Sequence, residues 1–301
     1  MKKETNITQI SLKSIKKGPV VWLTGVIHGD EHGGKVIIEN VFKKIKRSGL
    51  IKGELYAFPL INKEGFKKDL RLIPQTKEDL NRCFPGNKKG SLGKRMAYII
   101  SKKIMKTKPS LVIDLHNDWK NSICYVVIDP IRSKELKNKV EKIAKNTGVV
   151  CVREKNLKYN YNSTLSGHFI SKNIKSLTIE MGGNSKKKNI EIGTKVVFNI
   201  LMDLGMVKKM KKYVNNKKLK NQIFDYFEES KISKKGGIEF LVKPGDFVKK
   251  GTKIIKIYNE KNKKQFYIFK AKESGVVLGY EDLNIIKPGM PMIAFGVSKT
   301  L

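Results

Sequence analysis

The chain has 301 residues, 40% of them hydrophobic, with 13 Phe, 10 Tyr and 2 Trp, enough apolar side chain to build a core and too much for a disordered chain. Its formal charge of +36 would attract anionic substrates, nucleic acid or acidic membranes, but the lysines are spread along the whole chain, as a general compositional bias would also leave them. The longest apolar run, Val20 to Ile27, is too short to span a bilayer, and no apolar stretch follows the basic start Met1-Lys2-Lys3, so neither a membrane span nor a signal peptide is expected.

Three cysteines, Cys83, Cys124 and Cys151, are odd in number and show no paired spacing, which argues against a disulfide framework and fits a reducing cytoplasm. Six arginines stand against 57 lysines. Where so lysine-biased a chain keeps arginine, a planar, two-pronged donor is the property that lysine cannot replace. Two of the six, Arg71 and Arg82, fall around one motif.

Val20 to Ile27 reads as a buried strand entered from Gly18-Pro19 and broken at Gly29. A helix follows from Gly34 to Lys46, with Val36, Ile37, Val41 and Ile45 at helical spacing. Gly53 to Leu60 is a second strand. Leu70 to Lys89 is polar and irregular, and long ordered loops of this kind often carry function. The spacing then predicts a helix at Leu92–Met105, strands at Leu111–Leu115 and Ile123–Ile128, and a helix at Ser133–Asn146. Strands at Val149–Arg153 and Leu177–Ile179 and a last helix at Ile190–Leu204 follow. Such alternation argues an α/β domain on a parallel or mixed sheet. After Leu219 helical periodicity stops. Short strands with turn signals take over, including Lys243-Pro244-Gly245 and Lys287-Pro288-Gly289, so the expected organisation is an α/β domain at 1–219 and a small all-β module at 220–301.

The chemistry concentrates where strands end. His28 and Glu31, three apart after the first strand, are of the right types to hold Zn²⁺, with Gly29 expected to give the backbone freedom to aim both. His116 ends a second strand, and a third protein ligand leaves the fourth zinc position open to water. Asp114, two residues earlier on the same strand face, is a candidate acceptor for the His116 imidazole N–H. Arg71, Asn81 and Arg82 in the long loop suit a carboxylate, although a salt-bridged loop would use the same residues. Glu180 ends a further strand. A carboxylate there can take a proton from attacking water and hand it to a leaving nitrogen.

In this order, His28-x-x-Glu31, Asn81-Arg82, Asp114-x-His116 and Glu180 resemble the succinylglutamate desuccinylase and aspartoacylase family of the zinc carboxypeptidase group. Asp79 to Gly86 is similar to the family's Asn-Arg-x-Phe-Pro-Gly signature, and the resemblance covers residues 20 to 205. It implies a mixed-sheet zinc peptidase-like domain followed by a β domain, with one zinc per chain. It also implies roles: Arg71 polarises the scissile carbonyl, Asn81 with Arg82 holds the substrate carboxylate, and zinc polarises the amide and lowers the pKa of its water to about 7. Glu180 is then the base. Two other histidines, His32 and His168, are expected to point away and to pack against the sheet.

The C-terminal module resembles a lipoyl-like barrel-sandwich, but Asn259-Glu260-Lys261-Asn262 is not a carrier-lysine setting, so a cover, gate or oligomer contact is expected. The leading reading is a deacylase of a small anionic N-acyl amino acid, with a homo-oligomer left open. A metallocarboxypeptidase acting on peptides would use the same groups. A basic nucleic-acid-binding protein on a degenerate hydrolase scaffold is motivated by charge alone, with no aromatic-interleaved basic motif behind it.

Overall fold

The computed structural model describes residues 7–155, 160–183, 187–215, 219, 222–229, 234–259, 261–286, 289 and 293–298. Three of the sequence readings fall outside them in part: the start at Met1, the Lys287-Pro288 half of the second Lys-Pro-Gly turn, and Glu260.

In chain order the first half holds β1 (Ile10–Lys13), β2 (Val20–Gly25), α1 (Gly33–Ser48), β3 (Glu54–Phe58), α2 (Lys63–Lys68), α3 (Leu92–Lys106) and β4 (Leu111–His116). There follow β5 (Asn121–Ser122), β6 (Tyr125–Ile128), α4 (Lys134–Lys145), β7 (Val150–Arg153), α5 (Leu165–Ser171), β8 (Ser176–Glu180) and α6 (Lys187–Asp203). The rest is strand: β9 (Ile223–Glu229), β10 (Gly236–Phe240), β11 (Phe247–Val248), β12 (Lys253–Tyr258), β13 (Phe266–Lys270), β14 (Gly275–Tyr280), β15 (Ile285–Ile286) and β16 (Ile293–Val297).

One sheet runs β1-β3-β2-β4-β8-β6-β7-β9-β16-β14-β11, with β5 attached to β14, and a second runs β13-β12-β10-β15. The centre, β3-β2-β4-β8, is parallel, whereas β6 meets β8 antiparallel. The main sheet crosses the point where the sequence pattern changes, because β9 pairs parallel to β7 and antiparallel to β16. β5 pairs β14 through Ser122 and Gly279, which brings the C-terminal strands to the segment just after His116, and Lys120 and Asp282 pair there.

Side chains alternate across the sheet. Leu23, Ile113, Leu115, Leu177 and Ile179 point into a core with α1, α4 and α6. The opposite face begins apolar, with Trp22 and Val112 against α3 and α5. Trp22 stacks on Tyr56 at 4.9 Å and donates Nε1–H to Thr107 Oγ1 at 2.8 Å. Further along that face the register aligns Thr24, Asp114 and Thr178, then His116 with Glu180. A polar stripe therefore continues the apolar one, at the carboxyl ends of the parallel strands, where open α/β sheets place their sites.

Elements absent from the sequence reading are the short ones: β1, α2 and α5. Six or seven residues show too little periodicity, and α5 is buried on nearly every side, so it has no polar face to mark it. Of the strand expected at Ile123–Ile128, Tyr125–Ile128 forms as β6, and the unread two-residue β5 precedes it and pairs with β14.

Candidate metal centre

Past β2 the chain turns at Val26, whose φ of 56° is a strained left-handed conformation for a β-branched residue, held by complete burial. That turn presents His28 and Glu31. Gly29 does not take a positive φ, so conformational freedom is not its contribution. Its part is room: an added Cβ would lie 2.2 Å from the Gly65 carbonyl carbon and 2.4 Å from the Leu70 oxygen.

Glu31 is the hub. Its Oε1 lies 2.6 Å from His28 Nδ1 and its Oε2 2.8 Å from His116 Nδ1. The other nitrogen of each ring faces an aspartate: His28 Nε2 is 3.1 Å from Asp79 Oδ1, and His116 Nε2 is 2.9 Å from Asp114 Oδ2. Asp114 in turn accepts from Thr24 Oγ1 at 2.6 Å. Asn117 donates its backbone N–H to Glu31 Oε2 at 3.1 Å and accepts from Gly33 N at 2.9 Å. It thereby satisfies an N-terminal amide of α1, whose own cap residue, His32, makes no capping bond.

Ligand atoms of His28, Glu31 and His116 lie within 4.8 Å of one another, and all three residues are buried. Two imidazoles converge by one nitrogen on a carboxylate, while the opposite nitrogens are fixed by Asp79 and Asp114. That is the donor set and the outer support that a zinc ion requires. Burial would raise the Glu31 carboxyl, but the two imidazoles hold it well below the usual range. Burial would likewise lower His116, yet Asp114 and Glu31 raise it well above the ordinary histidine value. Despite its burial, Asp79 is held low by His28 and Arg71.

Each sequence-predicted residue lies in this neighbourhood. His28, Glu31, Arg71, Asn81, Arg82, His116 and Glu180 line one cavity of about 210 Å³. Asp114 sits behind it on His116. Glu180 lies opposite His116 in the β4–β8 register, and its Oε2 is sealed from solvent without a hydrogen-bond partner. Burial raises its carboxyl well above the ordinary value, with Asp118, Glu31 and Asp114 adding to the shift against His116. Arg71 reaches Glu31 Oε1 at 3.2 Å and Asp79 Oδ2 at 3.3 Å, with nearly half its side chain open to solvent. Asn81 accepts from the Leu165 N–H at 2.8 Å, tying the long loop to the start of α5. Arg82 is exposed and donates to the Asn81 carbonyl at 2.9 Å. Larger grooves of about 580 and 830 Å³ lie elsewhere, and neither contains the His-Glu-His cluster.

His32 turns onto Phe66 and Asp69, and His168 packs beside Phe169 with Nε2 2.8 Å from Ser101 Oγ. The three cysteines are free. Sequence reasoning gave no role to Asp79, Asn117, Asp118, Asp129 or Ser166, all of which support or line the centre. Asp79 and Asn117 stood inside the motifs. Asp129 has no local signal, because only the antiparallel pairing of β6 with β8 brings it to the cavity.

The fold is the carboxypeptidase-like one, and His28, Glu31 and His116 cluster where its parallel strands end. A metallo-carboxypeptidase from Pseudomonas aeruginosa superposes with a TM-score of 0.54 at 15% identity, over 66% of this chain and 61% of that one. Residues 17–204 match the succinylglutamate desuccinylase/aspartoacylase catalytic domain, and the chain belongs to that family. The product-bound ectoine utilization protein EutE (DoeB) from Ruegeria pomeroyi is similar over 97% of this chain and 89% of its own, with a TM-score of 0.80 and 20% identity. An aspartoacylase family protein from Mesorhizobium loti gives a TM-score of 0.78 at 19% identity over the same shares, 97% and 89%. In sequence, the N-alpha-acetyl-L-2,4-diaminobutyric acid deacetylase of Halomonas elongata is 28% identical over 101 residues, which is 34% of this chain and 29% of that protein's length. No helix among the described residues is long and apolar enough to cross a membrane.

Proposed function

We propose that this protein is a zinc-dependent deacylase that hydrolyses the amide of a small N-acyl amino acid, acting in the cytoplasm. The observation that carries the reading is the convergence of His28 Nδ1 and His116 Nδ1 on the two oxygens of Glu31, with each ring braced from behind. Family membership supports it, as does the activity named for the Halomonas elongata relative. His28, Glu31 and His116 would hold the ion, which supplies Lewis acidity toward the amide carbonyl and acidifies water to a pKa of about 7.

The chain's own groups supply the rest. Glu180, with its Oε2 unpartnered at the cavity wall, moves the proton from the attacking water to the departing nitrogen. Its raised pKa suits a group that must hold that proton between the two transfers. Arg71 turns its guanidinium to the scissile carbonyl oxygen, and Arg82 with Asn81 receives the α-carboxylate. The activity named for the Halomonas elongata relative and the matched family favour an acyl amino acid over the peptide of a carboxypeptidase substrate. We assign this chemistry to residues 1–219 and read 220–301 as the β module that backs the 117–122 segment through β5 and β14.

The test is amine release from a panel of N-acyl amino acids by wild type and Glu180→Gln. Wild type should turn over at least one member, and the variant should keep its metal while losing kcat by about 10³-fold or more. A variant that stays active removes Glu180 from the mechanism.

A further inference from the structure

The second sheet turns one face into its own core, where Ile238, Ile255 and Ile257 are buried. The face opposite such a core is ordinarily polar. Here the register sets Gly237, Tyr258 and Phe266 in one row across β10, β12 and β13, with Glu239, Lys256 and Ile268 in the next row on the same side. Two rings therefore stand on the solvent side, and Phe266 is half exposed. Tyr258 lies against the sheet: a Cβ at Gly237 would fall 2.4 Å from the ring's Cζ and 2.8 Å from its hydroxyl oxygen. Only glycine leaves room for the ring to lie over the partner strand.

Lysines surround these rings. Lys256 Nζ is 4.9 Å from the centre of the Phe266 ring and 3.7 Å from Glu239, and Lys263 Nζ is 5.5 Å from the centre of Tyr258. On the edge strand β13, Tyr267 is also half exposed, with Lys234 Nζ 4.3 Å from its centre. The groove of about 830 Å³ runs between these groups, lined by Lys235, Lys261 and Lys264 with all three rings, and no carboxylate among the described residues lines it. From Lys253 to Lys272 the sequence carries seven lysines against one acid, Glu260. The interleaving of rings and basic groups that is missing from the sequence reading arises here from the pairing of β12 with β13.

Flat aromatic faces bordered by ammonium groups match a strand of stacking bases on a phosphate backbone. Exposed ammonium–ring pairs are weak, so a base can take the ring while the displaced ammonium meets the adjacent phosphate. A second copy docked on the β13 edge would bring these lysines against one another. A lipid surface calls for protruding apolar side chains, whereas Tyr258 lies flat and the rings border a groove. We propose that this face of the C-terminal module binds single-stranded nucleic acid, its bases stacking on Tyr258 and Phe266 and its phosphates lying along Lys235, Lys261 and Lys264. The groove shares no residue with the metal centre, and the proposal does not depend on the deacylase reading. Stacking tolerates every base, so DNA and RNA strands both bind, without strong sequence preference.

The experiment follows fluorescence anisotropy of labelled oligothymidylate and oligouridylate, each of about 12 nucleotides, titrated with the full chain. Both should bind, and affinity should fall about 20- to 50-fold between roughly 50 and 200 mM salt, the slope for about three or four phosphates. Phe266→Ala and Tyr258→Ala should each weaken binding by about 5- to 100-fold, and Phe266→Tyr should retain it. Circular dichroism checks that the variants fold; Phe266, half exposed, is the safer of the two. Lys261→Gln with Lys264→Gln should lower affinity and reduce the salt slope by about 1.4. Lys46→Gln with Lys106→Gln removes the same charge from exposed positions of α1 and α3 and should leave the slope unchanged. Equal losses from the two lysine pairs, equal displacement by polyglutamate, or binding indifferent to Phe266→Ala would reduce the interaction to net charge and overturn the site. A duplex of the same length bound as tightly, or neither strand bound at about 50 mM salt, overturns it too. Phe266-dependent partition onto phosphatidylserine vesicles, or Phe266-dependent dimerisation in ultracentrifugation, without single-strand binding would give the face to a membrane or to a second copy instead.

Discussion

Each imidazole of the centre has both nitrogens committed, one to Glu31 and one to an aspartate, so ring orientation is fixed before any ion arrives. Asp79 holds His28 and also caps the short helical turn that carries Asn81 and Arg82. Asp79→Asn should therefore weaken zinc affinity by about 10–100-fold, measured by competition with a chelating dye. An unchanged affinity would mean that Asp79 serves the loop alone. His168 makes a different kind of prediction. Burial lowers its folded pKa to about 4, against the ordinary 6.5. The unfolded chain therefore binds a proton between those values that the folded chain refuses, and stability is lost as pH falls from about 6.5 to 4. Denaturant titrations across that range should show the loss in wild type and a shallower one in His168→Gln. Parallel slopes would remove His168 as the cause.

Among the elements, the long ones and the strand-end motifs were readable because hydrophobic period and turn residues are local signals. His28, Glu31, His116 and Glu180 could each be placed at a strand end from the sequence alone. What could not be read is whatever depends on two distant segments meeting. The pairing of β6 with β8 delivers Asp129, and the pairing of β5 with β14 brings the C-terminal strands beside the segment after His116. Gly29 shows the limit well. Its need follows from α2 and Leu70 lying against it, not from its own backbone angles. Gly29→Ala must push backbone aside, which should cost about 1–3 kcal/mol in chemical denaturation and loosen the metal site with it. A variant as stable as wild type would show that the 62–71 segment gives way freely.

Across the whole molecule, a basic exterior surrounds an acidic basin. The chain's formal charge is +36, yet Glu31, Asp79, Asp114, Asp118, Asp129 and Glu180 gather around two histidines and two arginines. The exterior field would draw in a carboxylate substrate, while the basin favours a divalent cation. Zinc content of the purified, chelator-free protein, read by mass spectrometry beside His116→Ala, tests this account most directly. It predicts about one zinc per wild-type chain and little in the variant. A folded wild-type chain that takes up no zinc when supplied with it, or a variant that retains a full equivalent, would contradict the account.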